Sequence, residues 1–422
     1  MRRLLRGLGI VALALLVGTG LAVTAIIVGS AIEKHRVHTQ QAPLEAFYTP
    51  PATLPNTLGT VLRQEPLGIS VAGGQAYRIL YVSERPDGTR AASGAMLFIP
   101  DAPAPAQGRP VLAWAHGTLG LGDSCAPSRS TNPTGDMYTW LPMAMQMGWV
   151  VVATDYVGVG TPGPNLYLDA DSEVRDVVNS VRAARLIPAA QAGTRYVTFG
   201  HSQGGHSSIW SGHLAPAYGP ELQLLGVAAA APALELPAIM TAQWNTVVGW
   251  VIGPDAVESW SHIDPNLTLD GVLSPVGLRN WHDIAYECVK NSFLTLAVRQ
   301  TVGERFFAMN PSDNASWKAM ADRQTPAPLP ASMPAFISQG TTDTVVLPWP
   351  QAIVQDTWCK AGSTLTMDWL GDVGHVQAAL VSGPTALTWI ADRFAGKPAG
   401  TTCAIPSAVP PIPPANPANP SS

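Results

Sequence analysis

A serine stands between two glycines near the middle of the chain, in the stretch YVTFGHSQGG at 196–205. Residues 200–204 match the pattern G-x-S-x-G, in which a serine occupies a sharp turn between a strand and a helix. The residues before the first glycine have strand character, and the HSSIWSGHL that follows is compatible with a helix. A serine hydroxyl becomes a nucleophile when a base removes its proton. We therefore predict that Ser202 is a catalytic nucleophile; the alternative is a glycine turn with an idle serine.

A serine nucleophile of this kind requires a histidine base and an acid that orients it, and both follow the serine in the chain, the acid first. Asp343 lies in the loop after the apolar run AFIS, and His375 lies in the loop after LTMDWL. Acids and histidines in loops beyond strand ends can point at one site. We predict that Asp343 orients His375 and that His375 deprotonates Ser202. The competing acid is Asp372, which we expect to shape the loop before the histidine.

Acyl transfer also needs donors for the oxyanion that forms on the substrate. The triplet HGT at 116–118 follows the apolar run VLAWA, a position that suits an oxyanion loop. We assign the donors to the backbone N–H of Gln203 and to that of Gly117 or Thr118. His116 itself is expected to pack or to hydrogen-bond beneath the loop.

Other patterns that could do chemistry are weaker. GVGTPG at 158–163 matches G-x-G-x-x-G after a strand, but prolines follow where a dinucleotide site needs a helix to begin at once. The sequence has no Walker A motif, no HExxH motif and no clustered metal ligands, so we expect no cofactor and no metal. His201 and His206 flank the serine and are expected to support it.

The elements that must position these residues are short apolar strands alternating with helices. The strand-like runs lie at 110–115, 149–154, 196–199, 224–231, 335–338 and 365–370. Helical patterns lie between them, for example at 172–189. Two further strand-like runs surround a Pro-Asp-Gly turn within 76–100. The alternation predicts an α/β fold with a mostly parallel central sheet and helices on both faces.

The alternation stops from about residue 234 to 330, where the pattern is mainly helical and rich in Trp and Phe. An insertion of this kind between two strands predicts a cap packed over the sheet. The expected segments are a signal peptide or signal anchor (1–36), an irregular linker (37–60), the first part of the α/β core (61–233), the helical cap or lid (234–330), the second part of the core (331–403) and a Pro-rich tail (404–422).

The N-terminal segment predicts export. Arg2, Arg3 and Arg6 precede an uncharged apolar run at 7–32 that is long enough to span a bilayer. The run is either a cleaved signal peptide or a single anchor that would associate the protein with a membrane. Both alternatives place the body outside the cytoplasm, secreted or in the cell envelope.

Charge and cysteine content narrow the class further. The formal net charge is −5 with 13% charged residues, and no basic patch stands out, so we expect no nucleic-acid partner. The four cysteines form no CxxC pair. In an exported protein they predict two disulfides, for which three connectivities are possible.

Several motifs together resemble the secretory lipase family of α/β-hydrolases. They are HGT, GDSCAPS (122–128), ATDYVGVGTPGP (153–164), GHSQGG, GTTDTVV and GDVGH. The resemblance covers roughly residues 60–403. It implies an α/β-hydrolase fold, the triad Ser202, Asp343 and His375, oxyanion donors at about Gly117 and at Gln203, and triacylglycerol lipase activity.

The cysteine placement is similar to that of a yeast member of the family. This similarity implies the disulfides Cys125–Cys288 and Cys359–Cys403, the first of which would tie the oxyanion loop to the cap. The yeast member has an acidic residue near the oxyanion position, whereas this chain has HGT. The identity of the second oxyanion donor therefore stays open at this point.

These observations predict an exported serine ester hydrolase, a triacylglycerol lipase or a carboxylesterase, that acts through an acyl-enzyme. The apolar cap indicates a lipophilic ester substrate. One alternative is an exported peptidase of the prolyl-oligopeptidase type, which usually has a large N-terminal domain, whereas only about 60 residues precede the sheet here. A second is a non-catalytic binding module, which predicts a broken triad position, and none is broken.

Overall fold

The protein is described here by a computed structural model that covers residues 28–413, apart from residues 30, 34 and 38. Most of the predicted signal peptide or anchor and residues 414–422 of the Pro-rich tail lie outside the described residues. Among the helices in the described range, none has the length and apolar character needed to cross a membrane.

A nine-stranded sheet organises the described residues. Its strands are β1 (Val61–Pro66), β2 (Gly74–Glu84), β3 (Arg90–Pro100), β4 (Arg109–Ala115), β5 (Val150–Thr154), β6 (Ala192–His201), β7 (Gln223–Ala230), β8 (Ala335–Gly340) and β9 (Leu365–Leu370). The order in the sheet is β1-β2-β3-β5-β4-β6-β7-β8-β9. The pairs β1–β2, β2–β3 and β3–β5 are antiparallel, and the pairs from β5 through β4 to β9 are parallel. Each of the six predicted strand runs coincides with one of the strands β4 to β9.

Helices alternate with these strands. The α-helices are α1 (Glu45–Tyr48), α2 (Leu141–Gln146), α3 (Ala170–Leu186), α4 (Gln203–Tyr218), α5 (Leu236–Gln243), α6 (Val247–Ile263), α7 (Pro275–Ala285), α8 (Val289–Thr301), α9 (Ala315–Arg323), α10 (Pro348–Lys360) and α11 (Ala378–Phe394). Short 3-10 turns occur at Ala42–Leu44, Asp123–Cys125, Pro127–Arg129, Pro188–Ala190, Pro311–Asp313 and His375–Gln377.

Helices cover both faces of the sheet. Successive side chains of the central strand β4 point to opposite faces, and both sets are buried. On β4, Leu112 and Trp114 point to a core that includes residues of α2 and α11. Val111, Ala113 and Ala115 point to the opposite core, with residues of α3. Because both faces are buried, the strand reads as a continuous apolar run. The structure thus confirms the predicted α/β class with a mostly parallel sheet.

The helices α5 to α9 form an insertion between β7 and β8. Large aromatic side chains are buried there, among them Trp250, Trp260, Phe306 and Trp317. The same hydrophobic cluster includes Leu121 and Tyr167 from outside the insertion, so it also packs these helices onto the rest of the fold. We propose that these helices are the cap expected over residues 234–330.

The segment before β1 holds regular structure where an irregular linker is expected over 37–60. It contains the 3-10 turn and α1, and the side chains of Phe47 and Tyr48 are buried against Leu80 and Ala92. The Tyr48 hydroxyl also hydrogen-bonds Ser128 Oγ at 2.6 Å. Burial of these two aromatic side chains therefore attaches the segment to the sheet. The prolines of the segment predict an irregular backbone and carry no information about this packing.

Two disulfides close the fold, and they are the pairs that the resemblance implies. One joins Cys125, in the loop after β4, to Cys288, just before α8. The other joins Cys359, in α10, to Cys403 near the end of the described chain. The first connects the core to the proposed cap, and the second attaches the C-terminal segment to the core.

Replacing both members of the second disulfide, Cys359→Ser with Cys403→Ser, should lower the free energy of unfolding by about 2–5 kcal/mol. The bond closes a loop with a sequence separation of 44, so its loss frees the unfolded chain. Urea unfolding of the oxidised wild type and of the double variant would measure the difference. Equal midpoints for the two proteins would contradict a stabilising role.

Candidate active site

The predicted nucleophile lies at a tight turn between a strand and a helix. Strand β6 ends at His201, α4 begins at Gln203, and Ser202 between them has φ 56° and ψ −116°. A positive φ in a residue other than glycine costs about 1–3 kcal/mol and needs support from its surroundings. The backbone N–H of Ser202 donates to Ala230 O at 3.0 Å, and its carbonyl accepts from His206 N at 3.0 Å. These bonds hold the turn between β7 and the first turn of α4.

The glycines of the motif are needed because backbone lies where their side chains would be. A Cβ atom on Gly204 would lie 2.6 Å from His116 O, and one on Gly200 would lie 2.9 Å from Gly205 N. Neither backbone atom can move aside as a flexible side chain could. The start of α4 therefore packs directly on the end of β4 as well as on its own strand.

Ser202, His375 and Asp343 form a chain of hydrogen bonds. His375 Nε2 lies 2.9 Å from Ser202 Oγ, and His375 Nδ1 lies 2.8 Å from Asp343 Oδ2. A carboxylate accepts and does not donate, so Nδ1 carries the proton and Nε2 can accept the serine proton. This is the geometry that a serine, a base and an orienting acid require.

Asp343 is held rigidly in the loop after β8. Its side chain is 2% exposed. Oδ1 accepts the N–H groups of Val345 at 2.8 Å and Val346 at 3.0 Å, and Oδ2 accepts Gln339 Nε2 at 3.1 Å. With the bond to His375, four donors orient one buried carboxylate. The competing acid Asp372 is exposed and has φ 54°, in the turn before the histidine.

His201, the neighbour of the serine, contacts the predicted base His375. Its Nε2–H donates to His375 O at 2.9 Å, and the two ring centroids are 4.8 Å apart. Burial of the ring, and secondarily the charge that His375 can carry, lower the pKa of His201 to about 3. His201 is therefore neutral near pH 7, and it orients the His375 backbone.

His116 lies beneath the loop after β4. Its Nδ1 lies 2.7 Å from Gly117 O, its Nε2 lies 3.3 Å from Asp155 O, and its ring packs 4.7 Å from that of Tyr156. Burial lowers the pKa of His116, so the ring is neutral near pH 7. The side chain supports the loop and does not reach the serine hydroxyl in any hydrogen bond of the described residues.

The residues expected to bind the oxyanion lie beside the serine. A Cβ atom on Gly117 would be 3.2 Å from Ser202 Cβ, which places this backbone against the turn. Within the part of the chain that is described, the N–H groups of Gly117, Thr118 and Gln203 make no hydrogen bond. Gln203 is the first residue of α4, where backbone N–H groups lack helical partners. The Thr118 hydroxyl is bonded to Tyr167 OH at 2.7 Å.

An apolar cavity opens beside Ser202 and extends under the inserted helices. It is narrow, with a cavity volume of about 80 Å³. Its walls include Leu236, Ile252, Trp260 and Phe307, all from the insertion between β7 and β8. Such a cavity accommodates an apolar ligand group next to the serine hydroxyl.

Two other features of the described residues bear on cofactor and metal binding. The glycine stretch 158–163 forms turns with positive φ at Gly158, Gly160 and Gly163, and the next helix begins only at Ala170. The described residues contain no group of three or more His, Cys, Asp or Glu side chains arranged to hold a metal ion.

Sequence reasoning missed several residues that surround this site. The sequence patterns do not identify Gln339, Tyr167 or Glu173. A glutamine that ends a strand just before the predicted acid is a weak signal for Gln339. Glu173 and Tyr167 have no such local signal, because their polar partners Gln203 and Thr118 come from other elements.

The sheet, the strained serine turn and the Ser-His-Asp chain together define an α/β-hydrolase. Residues 127–402 match the model of the family described as secretory lipase. This match covers more than half of the chain, and the chain belongs to the secretory lipase family.

Several curated proteins similar to this chain are named as lipases. The chain is 27% identical over 319 residues to Lipase 5 of Candida albicans, across 66% of this chain and 64% of that protein. It is 23% identical over 402 residues to a secreted triacylglycerol lipase of Malassezia globosa, across 87% and 82%. It is 24% identical over 394 residues to a Mycobacterium tuberculosis protein named a probable inactive lipase, across 84% and 82%. The match to the Candida albicans lipase thus spans a little under two thirds of that protein.

Solved structures with the same fold include two ester hydrolases. A rice cell wall degrading esterase from Xanthomonas oryzae has a TM-score of 0.67 at 18% identity, across 81% of this chain and all of that one (100%). Candida antarctica lipase A has a TM-score of 0.67 at 20% identity, across 87% and 89%. At these identities the likeness shows the α/β-hydrolase fold.

Gly204→Ala should destabilise the protein by about 1–3 kcal/mol, since the added methyl meets backbone on β4. Gly400→Ala is the matched control, because no atom lies within 4 Å of a Cβ there. Thermal unfolding of both variants would measure the effect. A Gly204→Ala variant that behaves like the control would contradict this packing.

The stability that His201 contributes should depend on pH. Its pKa is about 3 in the folded protein and about 6.5 in an unfolded chain. Between these values the unfolded chain binds more protons, so the contribution is complete above pH 6.5 and decreases as the pH falls toward 3. The difference in unfolding free energy between wild type and His201→Asn should therefore shrink by up to about 1.4 kcal/mol per pH unit below pH 6.

Urea unfolding of both proteins at pH 7, 6 and 5 would measure this dependence. Burial also raises the pKa of Asp155 to about 6, but this carboxyl titrates in both proteins and cancels in the difference. A difference that stays constant from pH 7 to 5 would contradict the neutral, buried state of His201.

Proposed function

We propose that the protein is an exported serine ester hydrolase, a triacylglycerol lipase or a carboxylesterase, that cleaves esters with lipophilic groups. The observation that carries the proposal is the hydrogen-bonded chain Ser202–His375–Asp343 beside an apolar cavity. Membership of the secretory lipase family and the lipases among its relatives support the same reaction class.

The reaction follows from this geometry. Ser202 Oγ attacks the ester carbonyl while His375 Nε2 accepts the hydroxyl proton. Asp343 stabilises the imidazolium that forms on His375. The N–H of Gln203 and that of Gly117 or Thr118 stabilise the oxyanion. His375 then protonates the leaving alcohol. In the second half, it activates a water molecule that releases the acid from the acyl-enzyme.

The proposed substrate class rests on the walls of the cavity. The side chains that line it are mainly aliphatic and aromatic, and Ser202 lies at its edge. The nearby polar side chain of Gln243 donates to the carbonyls of Thr344 and Val345 at 2.8 and 2.9 Å, so it is occupied. An acyl chain or another apolar ester group that enters the cavity would contact mainly apolar side chains.

Export is part of the proposal. The family is described as secretory, and two disulfides suit an oxidising compartment. The run at 7–32 would act as the signal or as an anchor that associates the protein with a membrane.

Family membership alone does not decide turnover, because one relative is named a probable inactive lipase. Here a base lies within hydrogen-bond distance of the serine, and the acid is held by further donors. This arrangement supports an active enzyme.

Ser202→Ala should leave the fold intact and reduce ester turnover by about 10⁴–10⁶, because loss of the nucleophile removes acyl-enzyme formation. The assay is hydrolysis of p-nitrophenyl esters from acetate to palmitate. Ser407→Ala is the matched control, since that hydroxyl donates to Val409 O in the C-terminal segment. Turnover retained in Ser202→Ala, or hydrolysis of peptide amides without esters, would contradict the proposal. A maximum at long chains indicates a lipase, and one at two to four carbons a carboxylesterase.

A further inference from the structure

A buried polar network lies beneath the serine turn, and its centre is a glutamate that the reaction described above does not use. We propose that Glu173 is a positioning residue for ester hydrolysis: through the Gln203 side chain, it holds the backbone N–H that stabilises the oxyanion. This inference rests on the proposed function. It adds a residue from α3 that the triad and the oxyanion loop do not include.

The Glu173 carboxyl contacts three donors from two parts of the fold. Its Oε1 lies 3.0 Å from Gln203 Nε2 and 3.2 Å from Leu168 N, and its Oε2 lies 2.7 Å from His206 Nδ1. Glu173 is 2% exposed. A buried carboxyl is costly without partners, and here both oxygens are occupied.

Two of these donors lie on the first turn of α4. Gln203 is the first residue of the helix, and His206 donates its backbone N–H to Ser202 O. One carboxyl on α3 therefore holds the helix start at two points, on either side of the glycine pair. Rotation or sliding of the α4 N-terminus relative to α3 would break both bonds.

His206 makes the network self-contained. It is fully buried, and its second ring nitrogen lies 2.9 Å from Gln324 O, a carbonyl that can only accept. Both ring nitrogens of His206 therefore have a hydrogen-bond partner inside the network.

The same network attaches the end of the inserted helices. Gln324 follows α9, and its side chain accepts from Ala170 N at 2.9 Å and donates to Asp169 Oδ1 at 3.1 Å. Its carbonyl also accepts Trp210 Nε1 at 3.2 Å. The starts of α3 and α4 and the return from the insertion thus meet at one buried cluster.

If the start of α4 moves, the Gln203 N–H moves away from the position of the oxyanion. An oxyanion donor acts on charge that forms only in the transition state, and a displaced donor lowers kcat more than it changes KM. We expect Glu173→Ala to lower kcat for a p-nitrophenyl ester by 10- to 100-fold, with KM within twofold of wild type. A merely structural loss would lower the fraction of active enzyme, which also reduces apparent kcat at constant KM, so kcat is expressed per active site titrated with a serine-reactive phosphonate.

The conservative variant Glu173→Gln separates geometry from charge. The amide oxygen can still accept from Gln203 and Leu168, and its NH₂ can donate to Nδ1 of a neutral His206. Its kcat should lie within about threefold of wild type. Asp171→Ala on the same helix is the matched control, because that carboxylate is partly exposed and pairs with Arg175.

The route through the side chain is tested by a double-mutant cycle. Gln203→Ala keeps the backbone N–H but removes the contact to Glu173. It should therefore lose as much kcat as Glu173→Ala, and the double variant should lose no more than either single variant. If Glu173→Ala does not fold, Gln203→Ala with unchanged KM carries the test, since it leaves the Glu173–His206 pair in place.

The outcomes are distinguishable. Wild-type kcat in Glu173→Ala, equal losses in Glu173→Gln and Glu173→Ala, or additive losses in the double variant would each overturn the positioning role. A wild-type protein without ester turnover, or turnover that survives Ser202→Ala, would overturn the proposed function instead. The prediction is a low kcat in Glu173→Ala and Gln203→Ala, with Glu173→Gln near wild type.

Discussion

The backbone at Ser202 occupies a conformation that residues other than glycine rarely adopt, with φ 56° between the last residue of β6 and the first of α4. Such a conformation persists only where its surroundings leave no alternative. Here the surroundings are backbone: Ala230 O accepts the serine N–H, and the α4 glycines pack against β4. The strained turn projects the hydroxyl above the sheet, and among the described residues the first N–H of α4 has no hydrogen-bond partner. The other parts of the site are arranged around this turn.

The parallel sheet explains how distant segments reach the turn. In an open parallel sheet the carboxyl ends of the strands lie along one edge, and the loops that follow them form the binding crevice. The loop after β8 carries Asp343, and the loop after β9 carries His375. Asp343 and His375 therefore meet because β8 and β9 are neighbours in the sheet, although they lie 32 residues apart in the chain. Rigidity comes from local bonds, such as the backbone donors to Asp343 and the bond from His201 to His375 O.

The inserted helices are joined to this edge at opposite ends. On one side Cys125–Cys288 and the backbone bonds Leu121 N to Ala285 O, 2.8 Å, and Val289 N to Leu119 O, 2.9 Å, attach the loop after β4 to the α7–α8 junction. On the other side Gln324 docks on α3 and α4. Both attachments involve residues close to the proposed oxyanion donors. The walls of the apolar cavity and the proposed oxyanion site are thus parts of one packed assembly.

Much of the fold and the proposed site was predictable from sequence, because local patterns encode both. The apolar runs marked β4 to β9, and the glycine-flanked serine, the loop acid and the loop histidine occur in the required order. Tertiary structure alone decided the rest. Glu173 meets Gln203 and His206 from 30 and 33 residues away, and His206 meets Gln324 across 118. Burial of Phe47 and Tyr48 likewise depends on the sheet. A tight turn is specified by the few residues that form it, whereas a buried polar network depends on which distant side chains the packing brings within hydrogen-bond distance.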